Sequence, residues 1–180
     1  MKGLLLSFWF LLVASPAAAI EVPPLASEAE VKEAVQVFLD WTKAYEEGRY
    51  LDQWKLTHPR IQRWHHKKRW RRTMSKGRSR SGDLLAANIT TAGPVDARKL
   101  PCTEMRHCYR KDMQVVIIFL ETKYEKAEPQ QPEYVMMAKS EDGWKFGGGT
   151  FPALPAGETI VILDRKDEAR YERPGVEVQN

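Results

Sequence analysis

The stretch QRWHHKKRWRRTMSKGRSR, residues 62–80, holds nine Lys/Arg, two adjacent histidines and two tryptophans, and no carboxylate. Such a set could bind a polyanion, hold a metal, lie on a membrane surface, or form the solvated face of a helix. For a polyanion, Arg63, Lys67, Lys68, Arg71 and Arg72 would supply salt-dependent attraction, and Trp64 and Trp70 could stack or insert. A metal is a poorer fit. On a helix His65 and His66 point about 100° apart, His58 lies one heptad before His65 across Pro59, and no HExxH occurs. Lys67, Lys68 and Arg69 would also repel a dication, so neither a metal nor a cofactor is expected. A nucleophilic triad lacks its GxSxG. The GGG of residues 147–149 is followed by no Lys-Ser or Lys-Thr, and reads as a bulge or close backbone approach in a bent strand rather than a phosphate loop.

The start of the chain narrows the available partners. MKGLLLSFWFLLVASPAAA has a lysine, an apolar run from Leu4 to Ala14 and a small-residue end, the layout of a secretory signal peptide cut after Ala19. The apolar run is shorter than the roughly 20 residues a spanning helix needs. An exported, periplasmic or extracellular protein is expected, and nucleic acid is then not its physiological partner. The anions available in an envelope are lipid headgroups, lipopolysaccharide phosphates, teichoic acids and acidic glycans; against them stands a structural helix whose bases are solvated or face the acidic first helix. In that compartment Cys102 and Cys108 are expected to form a disulfide. The charge is uneven: eight acids and three bases in residues 20–52, eleven bases and no acid from Lys55 to Arg80, sixteen acids and thirteen bases from Gly82 onward. That asymmetry, rather than the net charge, carries the information.

The elements around the basic block can be read in order. SEAEVKEAVQVFLDWTKAYEEG is a helix with a Ser27/Glu30 capping box and a left-handed cap at Gly48, burying Val31, Ala34, Val35, Phe38, Leu39, Thr42 and Tyr45. RYLDQWKLTHP is a short helix with Leu51 and Trp54 inward. A third helix is expected from Pro59 to about Ser75, stopping near Gly77. On a wheel it spreads Ile61, Trp64, Trp70 and Met74 over half the circumference, with Lys67 and Arg71 among them, so it shows no single cationic face. Beyond Gly82 the period becomes that of strands: DLLAANITTAG, MQVVIIFLETKY, PEYVMMAKS and GWKFGGG, the last two joined by a tight turn at Ser140–Gly143, with ETIVILD as a further strand. The expected fold is α+β, three N-terminal helices packed on a curved antiparallel sheet. The domain spans residues 28–164, after a leader (1–19) and linker (20–27) and before a charged tail (165–180).

WTKAYEEGRYLDQW, the basic helix and the closing EDGWKFGGGTF resemble the secreted bacterial family called domain of unknown function 4019, similar in outline to the NTF2-like (cystatin-like cone) superfamily. Gly48, Tyr50, Trp54, Gly143, Trp144 and Gly148 carry the likeness, which spans residues 28–152. The third helix is more basic than that family's pattern, and the Cys pair departs from it. The family brings no assigned reaction. The likeness implies a cone whose cavity would be lined by Tyr45, Trp54, Trp70, Tyr124 and Trp144 and would hold a small molecule. Enzymes of the superfamily use an acid–base pair there, for which Asp40 and Tyr45 with Tyr124 or Glu121 are the candidates. The expectation is an exported, non-catalytic binding module. It would act through its cavity or through the basic segment at an anionic, membrane-surface partner. The alternatives are a small cavity enzyme and a merely solvated basic face.

Overall fold

The computed structural model describes residues 23–100, 109–110, 112–128, 133–152 and 160–161. The expected leader, the Cys102–Cys108 pair and the C-terminal tail lie outside them. The order is α1 (Glu28–Glu46), α2 (Tyr50–Lys55), α3 (Pro59–Trp64), α4 (Lys67–Ser81), β1 (Leu84–Asp96), a 3-10 turn (Ala97–Lys99), β2 (Gln114–Tyr124), β3 (Glu133–Ser140), β4 (Gly143–Gly149) and a two-residue β5 (Ile160–Val161). The strands form an antiparallel meander in sequence order, with β1 and β5 at its edges. The fold is therefore α+β, helices on one face of an antiparallel sheet. The strong curvature expected of a cone is absent, since the sheet is open and not strongly curled.

Local chemistry sets α1 as expected. Ser27 Oγ accepts from the Glu30 N–H while the Glu30 carboxylate accepts from the Ser27 N–H, and Gly48 takes the left-handed conformation after the C-cap. Its buried stripe differs from the expected one. Leu39 is 44% exposed, while Trp41 is fully buried at the centre of the core. Ala34, Phe38, Trp41 and Tyr45 make the stripe that meets the sheet. Val116, Ile118 and Leu120 of β2 lie beside Met137, Val135 and Glu133 of β3, and Met137 lies beside Phe146 of β4. Trp41 stacks on Phe146 at 4.1 Å between ring centroids and meets Trp70 of α4 edge-on at 6.3 Å. These rings join the first helix, the basic helix and the sheet.

A buried polar chain holds the short helices in place. Trp41 Nε1 donates to Thr57 Oγ1 (3.1 Å), which donates to the Gln53 carbonyl (3.0 Å), and Trp70 Nε1 donates to Gln53 Oε1 (3.1 Å). Gln53, not Leu51, is the inward residue of α2, and Leu51 is 45% exposed. Between α2 and α3 the backbone joins β4: the Phe146 N–H donates to the Leu56 carbonyl and the His58 N–H to the Phe146 carbonyl.

At the end of β4 the glycine run lets the hairpin bend. A register shift falls between Met136 and Met137, and Gly149 has φ +140 with its α-carbon against β3. A Cβ there would sit 2.2 Å from the Tyr134 carbonyl oxygen. Gly149→Ala is expected to cost at least about 2 kcal/mol, read as a lower urea midpoint. An unchanged midpoint would mean that the close approach can relax freely.

Candidate functional site

The basic block is two helices, not one. α3 ends at Trp64, His65 leaves helical geometry at φ −122, ψ 82, and His66 is the N-cap of α4. The break has a visible cause: the Trp54 indole Nε1 donates to the His65 carbonyl at 2.7 Å, which fixes that carbonyl outside a continuing helix. It also resets the phase. Without it, Ile61 and Trp64 would fall roughly 120–180° away from Trp70 on one wheel. With it, Ile61 is buried on its own short helix, and α4 buries Trp70, Thr73, Met74, Gly77 and Ser81.

The wheel of α4 alone is therefore cleanly two-faced, contrary to the sequence expectation. Lys67, Lys68, Arg69, Arg71, Arg72, Lys76 and Arg80 are all exposed and occupy roughly 220° of arc. The helix runs through Gly77 to Ser81 because Gly77 lies on the buried stripe. Among the described residues Arg63, Lys67, Lys68, Arg69, Arg71, Arg72 and Lys76 have no carboxylate within ion-pair distance. Lys67 lies instead over the Trp54 ring at 5.1 Å. Arg78 is different in kind. It donates to the Tyr45 and Glu46 carbonyls at the end of α1 and pairs with Asp83 at 2.7 Å.

This layout works against the helix that carries it. Lys67/Arg71, Lys68/Arg72, Arg72/Lys76 and Lys76/Arg80 are like charges one turn apart, each costing about 0.2–0.5 kcal/mol. Lys67, Lys68 and Arg69 also crowd the positive end of the helix dipole, and His66 makes no side-chain capping bond. The helix is held by its buried stripe and by Arg78. At the start of α3, burial first, then the charges of Arg60 and Arg63 on that helix and of Lys145 on β4, push the His58 imidazole down to about 4.

The residues expected to line a cavity are placed in or against the core. Tyr45, Trp70, Tyr124 and Trp144 are buried within it, and Trp54 packs on it half-buried. Burial pushes the Tyr45 phenol up to about 12. The acid–base pairing considered for Asp40 is not formed. Asp40 is exposed and accepts from Gln36, and Glu121 is exposed. Tyr124 instead donates to Glu133 at 3.0 Å, and Thr122 also donates to that carboxylate. Glu133 is a buried carboxyl that the sequence, with its Pro-Glu-Tyr strand start, gave no reason to place inside.

Burial raises the Glu133 carboxyl above its ordinary value of 4.5, against the lowering by the Thr122 and Tyr124 hydroxyls. A raised folded-state value contributes stability that is complete below the ordinary value and is lost as pH rises through the folded one. Glu133→Gln is therefore expected to be more stable than the parent at pH 8 and to match it at pH 4. Urea midpoints at the two pH values check this; a parent more stable at pH 8 would show the carboxylate to be welcome there.

Among the described residues no three His, Cys, Asp or Glu side chains converge as a metal site, and no helix is long and apolar enough to cross a membrane. Comparison with protein-family models, with curated proteins and with solved structures finds no match.

Proposed function

We propose that this protein is an exported, non-catalytic binding module that docks an anionic component of the cell envelope on the outer face of α4. One observation carries the reading. Along the solvent arc of α4, Lys67, Lys68, Arg69, Arg71, Arg72 and Lys76 have no carboxylate partner among the described residues, in an arrangement that lowers the helix's own stability. A solvated face kept only for solubility would gain from interleaved acids, which α1 has in Glu28/Lys32. Export rests on the leader-like first 19 residues, and the partner class follows from it. The helices-then-meander order, with α1 lying on β4, β1 and β2, supports reading the fold as an open relative of the NTF2-like cone and of the domain of unknown function 4019 family.

Retention on an immobilised polyanion such as heparin, followed against salt, tests the charge reading. The apparent affinity is expected to fall about tenfold or more between low and physiological ionic strength. Retention insensitive to salt would remove the electrostatic basis of the proposal.

A further inference from the structure

Resting on that reading of α4, we infer that the anionic partner is the headgroup surface of a lipid bilayer, with α4 lying along it and Trp64 seated at the interface. Trp64 is 59% exposed, the most exposed of the large apolar side chains among the described residues. It directly follows the exposed Arg63 and comes three residues before Lys67, so its α-carbon lies within about 11 Å of the first turn of the cationic helix. An indole has an apolar body and one N–H, which suits the boundary between headgroups and acyl chains, and Lys and Arg stems can lie on that boundary while their charges stay in water. The other described indoles are less exposed. Trp41, Trp70 and Trp144 are buried, and Trp54 spends its N–H on His65 under Lys67.

The shape of the surface separates lipid from a nucleic-acid strand. Proteins that track a strand of nucleic acid combine a positively charged groove with a row of stacking rings. Here the cations stand on a convex helix about 22 Å long, with the exposed Trp64 ring preceding it in the chain. A flat, laterally mobile array of phosphates can meet a convex helix along its whole length, because the lipids rearrange to the charges. Exposed Leu51 of α2, a helix that packs on α4, adds a second apolar side chain on the same group of helices.

The test uses the whole protein and its Trp64→Gln variant with vesicles of phosphatidylglycerol and phosphatidylcholine. Some of the acyl chains are brominated near the headgroup. Binding is read by co-sedimentation and insertion by tryptophan quenching. The parent is expected to be quenched. Trp64→Gln is expected to lose most of that quenching and about five- to tenfold in affinity while keeping the same salt dependence. The exposed position makes the variant a mild one for folding, and near-ultraviolet dichroism from the buried indoles checks it. Co-sedimentation without quenching, or a variant equal to the parent, would overturn the seating of Trp64 and leave the charge reading intact. Salt-sensitive binding to heparin with no co-sedimentation would overturn the choice of lipid. Failure with both probes would overturn the proposed function itself.

Discussion

Reversing Lys68, Arg71, Arg72 and Lys76 together to Glu is expected to abolish binding to anionic vesicles without harming the fold. A cation near an anionic membrane contributes about 1 kcal/mol, so loss of these charges alone removes about 4 kcal/mol, or roughly a thousandfold in affinity. Repulsion by the new carboxylates adds to the loss. The same variant should melt no lower than the parent. All four side chains are exposed, none has a carboxylate partner among the described residues, and Lys68→Glu places an acid in the first turn, where the helix dipole favours it. Loss of binding with an intact or higher melting temperature is the signature of a surface kept for a partner. A lowered melting temperature would instead make the cations structural.

The largest effect on stability is expected at Trp41. The side chain is fully buried, stacked on Phe146, edge-on to Trp70, and bonded through its indole N–H to Thr57. Trp41→Ala removes the ring that joins α1, α4 and β4 and leaves a cavity at their junction. A loss of about 3–5 kcal/mol follows, which is a large part of the 5–15 kcal/mol that holds a typical domain folded. The melting temperature should fall by about 10–15 °C. Trp41→Phe retains an aromatic ring there and should lose less than half as much. A Trp41→Ala protein melting within a few degrees of the parent would mean that the three elements are held together elsewhere.

The parts of this fold that were legible in the sequence are those fixed by neighbours in the chain. The Ser27/Glu30 box and the Ser140–Gly143 turn need only a few adjacent residues, and both form as read. The division of the basic block was not legible, because its cause is tertiary. Nothing in Trp64-His65-His66-Lys67 is a Gly or Pro, and the break depends on an indole eleven residues earlier that takes the His65 carbonyl. Gly77 misled in the opposite direction: it reads as a stop, but close packing keeps it inside the helix. Once α3 and α4 were merged, the wheel mixed two phases and concealed the cationic face.

The five cations expected from the sequence, Arg63, Lys67, Lys68, Arg71 and Arg72, are all exposed; the last four share the outer face of α4 with Arg69, Lys76 and Arg80, which the merged helix hides. On α1 a stripe led by Val31 and Val35 leaves Trp41 out, yet both valines are only partly buried. An Ala34–Phe38–Trp41–Tyr45 stripe, spaced four, three and four, was available in the same residues. Glu133 shows the other limit, since its carboxyl enters the core through Thr122 and Tyr124 of the neighbouring strand, a pairing that no adjacent residue signals.

Co-sedimentation of the protein with phosphatidylglycerol-containing vesicles, beside pure phosphatidylcholine vesicles, at low and at high salt, tests the central claim most directly. Binding to the anionic vesicles alone, lost in high salt, is the predicted result. No binding at low salt, or equal binding to neutral vesicles, would contradict it and return the α4 charges to solvent.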